Sequence, residues 1–454
     1  MSLRDKMSAV IGDVNAQVAE REELVEMIAI ALLTRKNLFI LGDPGQAKSY
    51  AINAFRSRID GAVQFERLLS KQTDEEQIFG RIDLSSLIPG SVPEAYLKDD
   101  VAYQDMKDSL TCLLSEFSQH PDEEGRRELV DEAIKKVETY RTAAALLHPA
   151  EPMVNTSGKL PEADICFLDE IFKCNDGVLN SLLTALNERK YTNEGRTYDI
   201  PTISFFAASN EIPNFNDPQE KILAALYDRL ELKVVTANIA DRDKRLAVLR
   251  DKQTGRFGTV SATITLNELR DMQKEVAAIP VPDAINELVD DILCELRKEV
   301  PVSDRKYLNY YPIAQAKAWL NGHAEVESTD LLALKNYLWH KPADIPMIET
   351  TLTRMCVNPM QDKVNDVRAA AKEVIDELNA STEAGADARK AFRKFRSEML
   401  RVYQLYTDLA GKAQGDGEKA MLDGLLSDLE NGSRAAHEKY GFTYMPLQEL
   451  AELQ

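Results

Sequence analysis

The sequence predicts an α/β fold. A parallel sheet flanked by helices carries a phosphate-binding loop, and an all-α region and a helical C-terminal segment follow it. Three stretches carry that prediction. FILGDPGQAKSY, residues 39–50, sets an apolar run before a glycine-bearing loop and a helix. ADICFLDE, residues 163–170, is an apolar strand that ends in two acids. TISFFAASNE, residues 202–211, is a further apolar strand that ends on an amide.

Taken in order, residues 22–35 read as an amphipathic helix with Leu24, Ile28, Ala31 and Leu32 on one face. NLFIL, residues 37–41, is a short apolar run of the kind buried inside a parallel sheet. The loop follows as Gly42, Asp43, Pro44, Gly45, Gln46, Ala47, Lys48 and Ser49, and YAINAFRSRI resumes helical character. In a strand–loop–helix unit the loop amides and the helix N-terminus face phosphate, and the helix dipole favours its charge. Lys48 supplies a point charge for the β and γ phosphates of ATP, or the β phosphate of ADP, and Ser49 a hydroxyl ligand for Mg²⁺. Ala47 stands where the pattern has glycine. If it takes right-handed helical angles at the helix start, its Cβ costs nothing. On this stretch alone, a turn that only imitates the pattern stays open.

A carboxylate at a strand end beside such a loop can hold Mg²⁺ through water, which assigns Asp169. The adjacent Glu170 is placed to polarise the attacking water as a general base. Parallel strands deliver their C-terminal residues to one crevice, so Asn210 is placed to orient that water. Taken singly, a strand ending in two acids is a common surface feature, and a strand-end asparagine a common turn residue. Three strand ends aimed at one crevice outweigh either reading.

The bulk properties narrow the function. The chain has 454 residues, enough for two or three domains. A net charge of −20 disfavours bulk binding to phosphate backbones, though a local basic patch is not excluded by it. Cys112, Cys166, Cys174, Cys294 and Cys356 show no metal-ligand spacing and read as thiols of a reducing compartment. The N-terminus MSLRDKMSAVIGD lacks the apolar core of a signal peptide, and no run of about 18 apolar residues occurs. The expectation is a cytoplasmic protein with no membrane span.

The order of the phosphate loop, FLDE, LLTALNERKY, AASNE and LYDRLEL resembles the MoxR branch of the AAA+ ATPases, and more narrowly the RavA-like subfamily, whose loops accept alanine before the lysine. The resemblance runs from about residue 10 to about residue 345. It implies Mg-dependent ATP hydrolysis in a homo-oligomeric ring, expected to be a hexamer, with sites at subunit boundaries. VAEREE (18–23) matches the segment beside adenine, so Ala19 becomes the base contact, where an aromatic is more usual. Arg229 in LYDRLEL matches the arginine finger that acts on the neighbouring subunit's γ phosphate, with an ion pair to Asp228 or Glu231 as the alternative. Arg305 in VSDRKYL matches the second sensor arginine, with a solvent-facing helix-start arginine as the alternative. The resemblance also implies protein clients and a von Willebrand factor A domain partner. The residues around the NEG turn, Tyr191 to Tyr198, read as a β-hairpin. Family members turn such a hairpin to the ring pore, but an ordinary exposed hairpin is equally open.

Residues 1–236 are expected to form the nucleotide-binding domain, 237–342 an all-α lid and 343–454 a helical C-terminal region. EEQIFGRIDLSSL resembles the insert that marks the MoxR clade. A helical hairpin is expected at about 101–147, with stripes Met106, Leu110, Leu113, Phe117 and Leu129, Ala133, Val137, Tyr140, and SQHPDEEG as its turn. In the lid, His340 beside Trp339 reads as a packing residue. In the last region, Val364, Val367, Ala371, Val374 and Leu378 face Phe392, Phe395, Met399, Val402, Tyr406 and Leu409 across a seam. NASTEAGAD is expected as the turn between those helices, and EKAMLDGLLSDLENGSR as a third helix. RavA's β-rich partner-binding module has no counterpart strand run here. Two other functions stay open at this point. One is a nucleotide-controlled scaffold with little turnover. The other is a nucleic-acid motor, which the acidic balance disfavours.

Overall fold

A computed structural model of the chain describes residues 2–88, 92–98, 100–119, 125–147, 153–193, 196–218, 220–254, 261–357, 359–383, 387–411 and 416–453. The chain forms two compact units, Met1–Ile279 with Trp319–Gly322, and Pro280–Ala318 with His323–Gln454.

The first unit is built on five parallel strands: β1 (Leu38–Leu41), β2 (Gln64–Leu68), β3 (Ile165–Asp169), β4 (Ser204–Ser209) and β5 (Leu232–Val235). Their order across the sheet is β5-β1-β4-β3-β2. Central β4 is buried throughout, and β3 at all but its last residue, which explains their near-continuous apolar runs. Edge strand β2 is polar and mostly exposed, the pattern that discourages pairing with another chain.

Helices cover the sheet. α1 (Leu3–Asn15) starts with a capping box between Ser2 and Asp5. α2 (Glu22–Thr34) is buried on most sides, Val25, Ile30 and Leu33 included, rather than on the single face its periodicity predicts. The reason is its position among α1, the helix Leu266–Ala277 and the sheet. Each such side chain is worth about 1.5–3 kcal/mol of burial. α3 (Lys48–Arg56) follows β1.

α4 (Val101–Gln119) and α5 (Arg126–Leu147) pair with one another, and residues 120–124 of the expected turn lie outside the described residues. Here the expected stripe needs a correction. Leu129 is 55% exposed, and the neighbouring Val130 is buried instead. One residue is 100° of helix, so the seam follows whichever neighbour the partner helix meets. Tyr140 donates to Asp100 at 2.8 Å and fixes the far end of the pair.

α6 (Asp176–Glu188) is capped by Asn175, whose side chain accepts from Val178 N. The antiparallel hairpin Lys190–Asn193 and Arg196–Asp199 pairs Tyr191 with Tyr198, and residues 194–195 of its turn lie outside the described set. Tyr191 is buried and stacks on Phe79 at 4.5 Å, which anchors the hairpin to the core. α7 (Leu223–Asp228) precedes β5, and α8 (Arg242–Thr254) and α9 (Leu266–Ala277) follow it. Ile264 pairs with Ile59 just before α9, so this stretch packs with the sheet-bearing unit.

The second unit is helical among its described residues. It contains α10 (Asp283–Leu296), α11 (Asp304–Leu308), α12 (Tyr311–Asn321) in part, and α13 (Ile345–Val357). Trp339 is fully buried there. α14 (Pro359–Glu383), α15 (Ala388–Ala410) and α16 (Asp416–Lys439) then share one core. Val364, Val367, Ala371, Leu378, Phe392, Phe395, Met399 and Val402 are buried in it, and Val374, Tyr406 and Leu409 pack on it. The expected turn NASTEAGAD is shorter than predicted. α14 continues through Asn379–Glu383, where Thr382 meets Tyr440, and residues 384–386 lie outside the described residues. Among the described residues no helix is long and apolar enough to cross a membrane.

His437 sits inside this bundle at 1% exposure, edge-on to Phe392. Its Nδ1–H donates to Ser433 O at 2.7 Å, and Arg396 Nη2 donates to Nε2 at 3.2 Å. Burial holds its pKa below the ordinary 6.5, and the Arg396 charge acts the same way. A depressed histidine pKa means that the unfolded chain takes the proton first. This contribution is therefore intact above pH 6.5 and is lost as pH falls below it. His323, hydrogen-bonded to Asp330, has a raised pKa, and its contribution is lost instead as pH rises above 6.5. The thermal unfolding midpoint of the chain is expected to fall from pH 6.5 toward 5 as the His437 contribution is lost. The His437→Gln variant is expected to flatten that slope, and an unchanged slope would refute the assignment.

Candidate active site

The phosphate loop leaves β1 with Gly42 N donating to Ser209 O at 3.1 Å, which ties its start to β4. A Cβ on Gly42 would fall 2.0 Å from Thr236 Oγ1 and 2.4 Å from Gln46 Oε1, so only glycine fits. Thr236 Oγ1 donates to that same Gln46 Oε1 at 2.9 Å. The Gln46 carbonyl accepts from Arg21 Nε at 3.2 Å and Nη2 at 3.0 Å.

The expectation for Ala47 is overturned. It takes φ 59° and ψ 25°, the left-handed region, as the N-cap of α3. An L-residue there costs roughly 1–2 kcal/mol, so alanine in place of glycine is strained. The cause is the anchoring of Gln46 on both sides, which leaves the reversal into α3 to residue 47. Lys48 Nζ donates to Gly42 O, and to Asp43 O at 3.3 Å. Residues 43–45 and 47 are exposed, so the loop backbone borders open space.

The strand register assembles the rest. Leu41 lies beside Ser209, and Asp169 beside Ala208. Asn210, directly after β4, therefore emerges between the phosphate loop and the Asp169–Glu170 pair. Burial raises the pKa of Asp169, the hydrogen bond from the Glu170 N–H opposes this, the Glu170 charge adds to it, and Lys48 opposes it. Burial lowers the pKa of Lys48, and Asp169, Glu170 and Asp43 oppose that. The cation and both carboxylates thus share one electrostatic neighbourhood. Glu170 N donates to Asp169 Oδ1 at 3.0 Å, and Glu170 holds φ 53°. Such strain clusters at functional sites. Glu170 Oε2 is buried without a hydrogen bond, although Lys173 Nζ stands 3.2 Å away as an ion pair. Asn210 Oδ1 is also buried with no partner among the described residues. An orphaned buried acceptor is costly and suits a bound water.

These residues fit Mg²⁺. The ion prefers oxygen ligands, keeps several waters and takes few groups from the protein when phosphates supply the rest. Ser49 and Asp169 provide that sparse oxygen set. No cluster of three or more His, Cys, Asp or Glu able to hold a metal occurs among the described residues.

A cavity of about 300 Å³ lies beside the loop helix, lined in part by Val18, Ala19, Tyr50, Lys244, Ala247 and Val248. Ala19 is thus at the cavity, and the aromatic comes from Tyr50. Sequence reasoning does not single out Tyr50 as a lining residue. Tyr50 directly follows Ser49 in the quoted stretch, but its place opposite Ala19 depends on α8, which is remote in sequence. Arg229 ends α7, with Nη1 donating to Ala225 O at 2.6 Å and its Nε buried without a partner among the described residues. Glu231, named as its alternative partner, pairs with Lys36 at 2.7 Å. Arg305 is exposed on α11 and belongs to the second unit.

A family model for the MoxR domain of MoxR–vWA–β-propeller ternary systems matches residues 5–97 and 144–274, and an AAA lid domain model matches 281–352. The MoxR match skips most of α4 and α5. An uncharacterized protein of Methanocaldococcus jannaschii is 28% identical over 373 residues, 82% of this chain and 80% of the relative. A second from that organism is 27% identical over 343 residues, 76% of this chain and 74% of the relative. A structural protein of Acidianus two-tailed virus is 23% identical over 444 residues, and the match spans 87% of this chain but 59% of the viral protein. The crystal structure of a candidate ATPase from Cytophaga hutchinsonii superposes with a TM-score of 0.52 at 16% identity, over 77% of this chain and 94% of that one. That likeness shows the fold alone. MoxR and lid models thus follow one another along a chain whose first unit brings its strand ends together at a glycine-bearing loop: the chain belongs to the MoxR family of AAA+ ATPases.

Proposed function

We propose that the chain is a ring-forming, Mg-dependent ATPase of the RavA-like branch. In this reading hydrolysis drives chaperone-like remodelling or assembly of a protein complex that includes a von Willebrand factor A domain partner. The observation that carries the reading is the convergence of Lys48, Asp169, Glu170 and Asn210 at adjacent strand ends. The MoxR–vWA–β-propeller description of the family model supports the partner class. Ala47 before Lys48 supports the RavA-like branch, and the free thiols support a reducing cytoplasm.

In this reading the amides of residues 42–49 and the α3 N-terminus bind the phosphates of ATP. Lys48 neutralises the β and γ oxygens. Ser49 and, through water, Asp169 would hold Mg²⁺, which would supply charge neutralisation on the phosphates when bound. Asn210 Oδ1 orients the attacking water, and Glu170 draws off its proton as the water oxygen bonds to the γ phosphorus and the bond from that phosphorus to the bridging oxygen breaks, releasing ADP and phosphate. Tyr50 and Ala19 face the nucleoside. Arg229 completes the pocket of the next subunit, and Arg305 keeps the second-sensor role that the family resemblance implies. A finger acting across a boundary makes turnover depend on how neighbouring subunits rotate.

Purified chain with Mg-ATP is expected to release phosphate. Lys48→Ala should abolish nucleotide uptake in calorimetry. Glu170→Gln should still bind but lose about 10²–10⁴-fold in turnover, and it should retain clients in a pull-down. Equal partner release with ATP and with a non-hydrolysable analogue would instead favour a scaffold. Stimulation by DNA at moderate salt would favour a nucleic-acid motor.

Arg229→Ala should lower turnover by about 10³-fold or more. Mixed with the Glu170→Gln variant it should regain activity, because a mixed ring pairs an intact Glu170 with an intact finger. A mixture that stays inactive would remove Arg229 from the mechanism.

A further inference from the structure

We propose that Arg21 is a positioning residue that sets the Gln46–Ala47 peptide for polyphosphate and ties it to the wall of the nucleoside cavity. The proposal rests on the nucleotide reading above and assigns to it a residue that the chemistry itself does not use. Arg21 is 6% exposed, yet its hydrogen bonds go to main-chain carbonyls and to no carboxylate. Nε and Nη2 donate to Gln46 O at 3.2 and 3.0 Å, Nη2 to Ala237 O at 2.7 Å, and Nη1 to Glu20 O at 2.7 Å. Burying a guanidinium away from any paired carboxylate is unfavourable, so the geometry that it enforces needs a reason.

The peptide supplies the reason. A trans peptide is planar, and its C=O and N–H point opposite ways. With Gln46 O held on Arg21, the Ala47 N–H is turned away from the buried guanidinium, toward the exposed side of the loop. This also explains how Ala47 keeps φ 59° without being glycine. The carbonyl before it is fixed by two hydrogen bonds, so relief of strain by flipping the peptide is blocked. A flip would turn a carbonyl oxygen toward the phosphates in place of an amide.

The same clamp reaches the nucleoside side. Arg21 holds Ala237 O, and the carboxylate of Glu20 accepts from Ala240 N at 2.7 Å and Asp241 N at 3.0 Å. Those residues lead into α8, which lines the cavity with Ala19 and Tyr50. Adjacent residues 20 and 21 therefore hold both the phosphate loop and the cavity wall.

Calorimetry on the full chain with ADP and with inorganic tripolyphosphate tests this. Arg21→Gln is expected to weaken both ligands by a similar factor, about tenfold or more, with Arg21→Lys intermediate. Adding Ala47→Gly to Arg21→Gln is expected to restore part of both affinities, because glycine takes the left-handed angles without strain. A side chain that only supported the fold would lower the unfolding midpoint, and its loss would not be repaired by glycine at 47. Wild-type affinity in Arg21→Gln overturns the proposal, as does loss of ADP alone with tripolyphosphate unaffected, or the absence of rescue. If the unsubstituted chain takes up neither ligand, the nucleotide reading fails first, and that result is distinct from a failure seen only in the variants.

Discussion

The candidate chemistry depends on the register of three parallel strands. Leu41, Ser209 and Asp169 reach the same edge of the sheet because β1, β4 and β3 are locked side by side. A slip of one residue would turn every side chain of a strand to the opposite face. Phe39, Phe167, Phe205 and Phe206 are all fully buried, with Phe205 and Phe206 on opposite faces of β4, so any slip would drive each aromatic into a packing site shaped for a different side chain. Core packing thereby places Asn210 between the phosphate loop and the acids.

Around that edge the chain departs from local preference repeatedly. Ala47 and Glu170 both hold left-handed backbone, Asp169 is buried enough to raise its pKa, and Asn210 Oδ1 lacks a partner among the described residues. Each departure is unfavourable alone, and they lie within one crevice. Strain of this kind concentrates at functional sites, and folding alone gives no reason for it here. The stability comes from elsewhere, chiefly α2 and the inner strands, where long runs of side chains are buried.

The accessory elements are organised differently. α4 and α5 expose Val101, Leu114, Leu129, Leu146 and Leu147, and bury little beyond Tyr103, Val130 and Ala145. They coincide with the stretch that the MoxR model passes over. The α14–α16 bundle has instead a core of its own, with Leu422, Leu425 and Leu429 of the third helix closing the seam. The hairpin packs its two helices together and onto Val92 and Leu97, while the bundle has a separate core.

How much could be read in advance followed the range of the interactions. Three strands were legible because burial on both faces demands an unbroken apolar run. The α14–α15 seam was legible because helix periodicity repeats locally. The loop, the acid pair and Asn210 were legible because a strand end fixes where its last residue points. The choice of Val130 over Leu129, the extension of α14 to Glu383 and the nearly complete burial of α2 were not, since each depends on a neighbour remote in sequence.

By itself, then, the sequence determined which residue types stand at which strand ends, and so the class of chemistry available there. Tertiary structure alone decided the backbone angle of Ala47, the arrival of Tyr50 opposite α8 and the burial of Arg21 against Gln46 and Ala237. Local pattern sets the conformation of neighbouring residues. The orientation of a peptide, or the lining of a cavity, depends on side chains brought together from distant parts of the chain.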